Sequence, residues 1–276
     1  MTSAFYPPTR PLRVGEALDL AFQIFKVTLM KSLPYGISAM IAWQLPNIYD
    51  LSSGAHVPQL FGGGRPISVA LFLLSTLLTL IVWSSLLLRQ RAIIEHTPTT
   101  TKSELAATLR RLPSFLSATL LILVIVCGEF AVLLVIPRAY QYAALVPLFI
   151  LSSYLTVLLS CAWPATLLMG EPPLGALRQS VRLVRGNWWR VSAVYMVGVA
   201  VVLVLAILVG ALIAIVMPVL TADVSVVTAV FTVVANALGA AIVPFVGALL
   251  LAAFGDLRVR KEGIDLQQRI MSLSVE

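Results

Sequence analysis

A carboxylate inside a membrane-length apolar stretch is the group in this chain best placed to do chemistry. Glu129 is alone in the run from Leu112 to Ile136. It stands about 7 residues from the far end of that run, or roughly 10 Å at the helical rise. Ionisable groups at that depth are costly and mark proton relays and solute pathways. Glu129 can exchange a proton during transport, or stay neutral and hydrogen-bonded to a polar neighbour or to Arg138 at the rim. Both readings are open. The uncharged polar residues Asn236, Gln44, Ser152, Ser153, Thr156 and Ser160 also fall in apolar runs. They can line a pathway, or they can join helices through hydrogen bonds worth about 0.6–2 kcal/mol each. Joining is the favoured reading.

A second candidate lies near the C-terminus, where Asp256, Arg258, Arg260, Lys261, Glu262 and Asp265 follow the last apolar run. Positive charge alone would stop transfer through the membrane and bind lipid headgroups, so the acidic residues need another reason. Ion pairs to other cytoplasmic helices, or to a protein partner, supply one. Gly263 can end the helix in the left-handed conformation, and Asp265 can cap a short helix carrying Leu266, Ile270 and Leu273. Arg178, Arg182 and Arg185 form a third basic set, on one face of a helix that starts at Pro172.

No catalytic constellation is legible. The histidines, His56 and His96, have no partners at ligand or catalytic spacing, and Cys127 and Cys161 sit inside apolar runs, where thiols behave as small hydrophobes. Gly62-Gly63-Gly64 lacks the Gly-Lys-Ser/Thr end of a phosphate loop. The expectation is a protein that is not an enzyme and holds no metal and no cofactor.

The elements that must position these residues follow from composition and charge. Hydrophobic residues make up 59% of the 276 and charged residues 11%, against about 25% in soluble domains. All but Arg65 and Arg138 of the nineteen Lys and Arg residues fall in four clusters, at 10–31, 89–111, 178–190 and 258–269, separated by apolar stretches. Basic residues stay on the cytoplasmic side, so this alternation predicts six crossings with both termini in the cytoplasm. The fold class is all-α membrane protein, a single integral membrane domain over 1–276. Its spans are expected near 32–49, 67–88, 112–136, 140–169, 190–217 and 224–254, with a charged cytoplasmic tail at 255–276. The net charge of +7 and pI near 9.8 follow from that topology and suit anionic headgroups; nucleic acid is not an expected partner. The Pro-rich N-terminus, 1–13, is expected to be no cleavable signal peptide.

Helical period also appears between the spans. Over 14–30, Glu16, Asp19, Gln23 and Lys26 form a polar stripe. Over 102–112, Leu105, Leu109 and Leu112 face one way and Glu104, Thr108 and Arg111 the other, with Thr101 to Glu104 fitting a capping box. Over 173–186, Leu174, Leu177, Val181 and Val184 oppose the three arginines. Amphipathic helices of this kind are expected in the membrane interface. The unit of interfacial helix, span, turn and span occurs three times, which raises parallel repeats as a possibility. Trp43, Trp188 and Trp189 suit interfacial anchors.

Three segments carry a family resemblance. They are Leu12 to Phe22; Gly175 to Ser180 with Arg185-Gly186-Asn187-Trp188-Trp189-Arg190; and Asp256 to Leu266. Together they resemble the bacterial membrane proteins named after the membrane domain of glycerophosphoryl diester phosphodiesterases. The resemblance implies a multi-pass protein of the bacterial inner membrane with no established activity. In fusion members the phosphodiesterase chemistry belongs to a separate soluble domain, for which this chain has no room. The function expected is a non-catalytic scaffold or accessory subunit with a protein partner on the cytoplasmic face. The alternative is a small solute or lipid transporter.

Overall fold

The computed structural model describes residues 6–52, 66–220 and 223–263. The elements are α1 (Val14–Ser52), α2 (Pro66–Ile94), α3 (Thr101–Gly128), α4 (Arg138–Leu159), the single turn α5 (Ala162–Pro164), α6 (Pro173–Val184), α7 (Trp188–Leu220) and α8 (Val224–Glu262). A 3-10 stretch, Glu129–Leu134, extends α3, and a π-helical turn, Ala165–Met169, follows α5. No strand occurs among the described residues.

Among the described residues, five segments are long and apolar enough to cross a membrane: Pro66–Ile94, Thr101–Leu134, Tyr140–Met169, Trp188–Met217 and Val226–Lys261. Their surfaces agree with that medium. Leu203, Ile207, Leu208 and Leu212 on α7 and Val146, Phe149 and Ile150 on α4 are all exposed. Contiguous apolar surface on this scale is foreign to soluble monomers and ordinary in hydrocarbon. The chain is a multi-pass membrane protein. The stretch expected as the first span, 32–49, lies in α1 and is not among the five, because Ser32, Pro34, Gln44, Pro46 and Asn47 dilute its apolar content.

Two helix boundaries differ from the sequence expectation. Residues 14–30 and 32–49 are not two separate helices; they belong to one helix of 39 residues that runs through Pro34. Residues 102–112 likewise run without a break through Pro113 into the span of α3. Proline removes one N–H but does not end a helix whose neighbours and local adjustments satisfy the freed carbonyl, the usual case in membrane helices. Only the third expected connector is a separate helix, α6, with Pro173 at its first position, where the missing N–H costs nothing. The three units of the expected repeat are therefore not built alike. Helix α8 also overruns its expected end, and its charged turns remain helical up to Gly263, which adopts φ +61 as a left-handed cap.

The chain divides into two compact units. One comprises Met1–Ala21, Ala106–Met196 and Leu249–Glu276, the other Phe22–Leu105 and Val197–Ala248. The first has a core of Ala118, Leu159, Ala162, Ala176, Leu183 and Phe254 with their neighbours. Helix α6 is stitched to the end of α4 by buried Ser180. Its Oγ donates to the Leu158 carbonyl (2.7 Å) and accepts from the Cys161 N–H (3.1 Å). In the second unit, Phe245 packs against Phe22 and Phe25 with ring centroids at 5.2 and 5.5 Å. Buried Gln90 donates to the Pro244 carbonyl (2.8 Å) and to Thr28 (3.3 Å).

Candidate functional site

The charged end of α8 is the most connected polar site of the first unit. Asp256 is buried and pairs with Arg260 one turn on, at 3.0 Å. Its Oδ1 also accepts the backbone N–H of Leu12 at 2.7 Å. The Leu12 carbonyl in turn accepts from the guanidinium groups of both Arg260 and Arg190. Both backbone polar groups of Leu12 are thus held by three charged side chains from α8 and α7. Upstream, the Tyr6 hydroxyl donates to the Leu251 carbonyl at 3.4 Å, and its ring packs where Gly255 has no side chain. Residues 6–12 form a strap along the last turns of α8.

Where the strap becomes α1, Glu16 reaches back to the Arg13 N–H (2.7 Å), half of a capping box, and pairs with Arg10 at 2.7 Å. The Arg13 N–H first, then the Arg10 guanidinium, hold the Glu16 carboxyl below the usual carboxylate range.

Asp256→Ala is expected to release the strap. Charge-assisted hydrogen bonds to partly buried groups contribute about 2 kcal/mol. The thermal midpoint of the protein in detergent should fall accordingly, and proteolytic cleavage near Arg10 and Arg13 should accelerate. Lys261→Ala, an exposed neighbour, should change neither. Equal cleavage rates in wild type and the Asp256 variant would refute the strap.

The other residues of this motif are dispersed. Arg258 lies over the Phe254 ring at 5.9 Å, and Lys261 is exposed. Glu262 closes α8, its side chain outside the described set, and Asp265 lies outside the described residues. Arg178, Arg182 and Arg185 share the exposed face of α6, as expected. The opposite face is Ala176, Leu177, Ser180, Leu183 and Val184, whereas Leu174, expected there, is exposed. Ala176 and Ser180 are small enough to approach α4, and they set the rotation.

In the second unit, Glu104 is the centre. It is 3% exposed and accepts from Tyr35 (2.5 Å), Thr99 (2.6 Å) and Arg89 (2.9 Å). This reverses the expected polarity of the 102–112 stripe: Glu104 and Thr108 are buried, while Leu105 and Leu109 face outward. Tyr35, Thr99 and Arg89 turn Glu104 inward, and the leucines one and five residues on take the outer side. The reciprocal cap also lies one residue earlier than expected. The Thr100 N–H donates to Ser103 Oγ (3.0 Å) and the Ser103 N–H to Thr100 Oγ1 (3.2 Å), which leaves Glu104 for the ion pair. Nearby in this unit, Gln44 donates to Asn236 at 2.9 Å and accepts from Asn47 at 2.8 Å. These two sequence candidates meet each other, and they join α1 to α8.

Glu129 begins the 3-10 stretch, just beyond the last α-helical residue, Gly128. Both of its carboxyl oxygens are shielded, and neither has a hydrogen-bond partner among the described residues. Arg138 makes no ion pair with it among those residues.

No group of three or more His, Cys, Asp or Glu side chains that could hold a metal ion occurs among the described residues. Sequence reasoning missed Arg190 and Tyr35 as site residues, and it placed Glu104 on the wrong face. The signal for Arg190 was its place directly after Trp188-Trp189, at the start of a span. Comparison with known protein families, with curated proteins and with solved structures finds no match.

Proposed function

We propose that the chain is a non-catalytic integral membrane protein, a scaffold or accessory subunit that binds an acidic protein surface through its cytoplasmic face. One observation carries this reading. Helix α6 is fixed from behind by Ser180 and a buried apolar face, and it presents Arg178, Arg182 and Arg185 outward. The topology that belongs to this proposal has six crossings, with α1 as the sixth, and both termini in the cytoplasm of a bacterium. The four basic clusters and the family resemblance support it, and anionic headgroups would share the basic face. Purification in mild detergent with quantitative mass spectrometry tests the reading. Wild type should retain a reproducible partner that Arg178→Glu/Arg185→Glu loses. A wild-type protein that comes through alone would sink it.

A second reading, a small solute or lipid transporter, is favoured by Glu129, whose shielded oxygens have no described partner. Under it, Glu129 carries the coupled proton. Glu129→Gln should then abolish proton-coupled transport while leaving expression and thermal stability unchanged; as part of a scaffold, the same change should be silent. A Gln variant with wild-type transport would exclude the proton-exchange role.

A further inference from the structure

An open cavity of about 440 Å³ in the first unit is lined by Arg110, Arg111, Ser114, Thr166, Gly170 and Glu171, with two alanines of α3. Clefts that hold small ligands run from about 300 to 1,000 Å³, so the size is sufficient. Its walls are the foot of α3 and the π-helical turn after α5. That turn ends at Gly170 (φ +75), whose N–H donates to the Thr166 carbonyl at 3.2 Å. Single π turns inside helices occur frequently at functional sites. Arg111 is anchored on the Leu167 carbonyl. Arg110 is exposed, and Glu171 is half-buried. The two arginines make no ion pair with Glu171. Opposite charges therefore line one cavity without closing on each other in an ion pair.

We infer that this cavity binds the headgroup of an aminophospholipid, with the phosphodiester on Arg110, Arg111 and Ser114 and the ammonium on Glu171 and Thr166. The charge balance selects a zwitterion. A plain anion would meet the Glu171 carboxylate, and a plain cation would meet two guanidinium groups. Thr166 Oγ1 already donates to the Ala162 carbonyl at 3.0 Å, so its lone pairs are free to accept from an ammonium. Planar guanidinium groups suit phosphate oxygens. The location selects a lipid over a soluble zwitterion. Arg110 and Arg111 stand in the third turn of the Thr101–Leu134 span, and Glu171 lies two residues past the end of the Tyr140–Met169 span. Leu109, Leu120, Leu123 and Val124 then form an exposed apolar track along α3 for the acyl chains. This site is independent of any protein partner on α6.

Native mass spectrometry of the purified full-length protein, delipidated and supplied with equimolar phosphatidylethanolamine, phosphatidylcholine and phosphatidylglycerol, tests the inference. The ethanolamine lipid should be retained in preference to both others. Arg110→Ala should weaken its retention about tenfold, the loss expected for one charge-assisted hydrogen bond. Glu171→Gln should invert the selectivity toward phosphatidylglycerol, because removing the carboxylate leaves a purely cationic cavity. A merely structural role for Glu171 would not move selectivity in that direction. Equal retention of the three lipids by wild type, or unchanged selectivity in Glu171→Gln with the fold intact, would overturn the site. Displacement of the lipid by millimolar glycerophosphoethanolamine would overturn the lipid assignment in favour of a soluble zwitterion.

Discussion

Glu104→Ala should lower the stability of the protein more than any other single side-chain truncation in its polar network. The carboxylate satisfies Tyr35, Thr99 and Arg89 at once, and its side chain is 2% exposed while that of Arg89 is 22% exposed. Removing it leaves the Arg89 guanidinium charged, half-shielded and held only by the Thr99 carbonyl, and breaking such a pair from one side costs about 3 kcal/mol, the lower end of the range for buried pairs. At about 2–4 °C per kcal/mol for a chain of this size class, the thermal midpoint in detergent should fall by about 10 °C. Tyr35→Phe, which deletes one hydrogen bond and keeps the ion pair, should cost only about 1 kcal/mol. The paired change Arg89→Met/Glu104→Leu should recover most of the loss, because the penalty comes from the orphaned charge rather than from a missing attraction. A Glu104→Ala protein within about 1 kcal/mol of wild type, judged against that same penalty, would show that water reaches Arg89 and that the centre is not sealed.

The same residue shows what was legible in the sequence. The helical period over 102–112 was visible, and so was the division into Leu105, Leu109 and Leu112 against Glu104, Thr108 and Arg111. Which side faces inward was not. A period fixes a stripe, but its direction depends on which residues find partners across the fold, and Glu104 finds three. Helix ends were harder still. Lys31 and Pro34 look like a boundary in the sequence, yet α1 passes through them, since a proline costs one hydrogen bond locally and continued packing can compensate. The acidic residues of the 256–265 segment did signal that pairing was needed. Their partner was out of reach, because Leu12 contributes only its backbone and lies 244 residues from Asp256. The Gln44–Asn236 contact was equally invisible, although both residues stood out as polar groups in apolar runs. Composition thus marks which groups must be satisfied in a membrane, and only the fold shows by what.

Gly36→Ala should be as damaging as the loss of Glu104, for a reason that involves no charge. Helices α1 and α8 approach so closely in the second unit that a Cβ at Gly36 would overlap the backbone carbonyl of Ala240. That carbonyl is available because the residue four positions on is Pro244, which has no N–H to give it. Small residues allow such backbone contact, and it is a main source of helix association where lipid removes the hydrophobic drive. Backbone cannot rotate aside as a side chain can, so the methyl group must push the two helices apart. Overpacking of this kind costs about 1–3 kcal/mol, and more where no flexible group can yield. Separating α1 from α8 would also strain the Gln44–Asn236 bond and the Phe245 packing against Phe22 and Phe25. Gly239→Ala is the internal control, one residue away on α8. Its added methyl would meet the Met40 sulfur, the end of an unbranched side chain with other rotamers to adopt. The cost there should stay near about 1 kcal/mol, the lower end of the overpacking range. Thermal unfolding of both variants in one detergent gives the comparison. A large loss for Gly36→Ala beside a small one for Gly239→Ala is the expected result. Equal losses would mean that packing volume, rather than backbone contact, governs this helix pair.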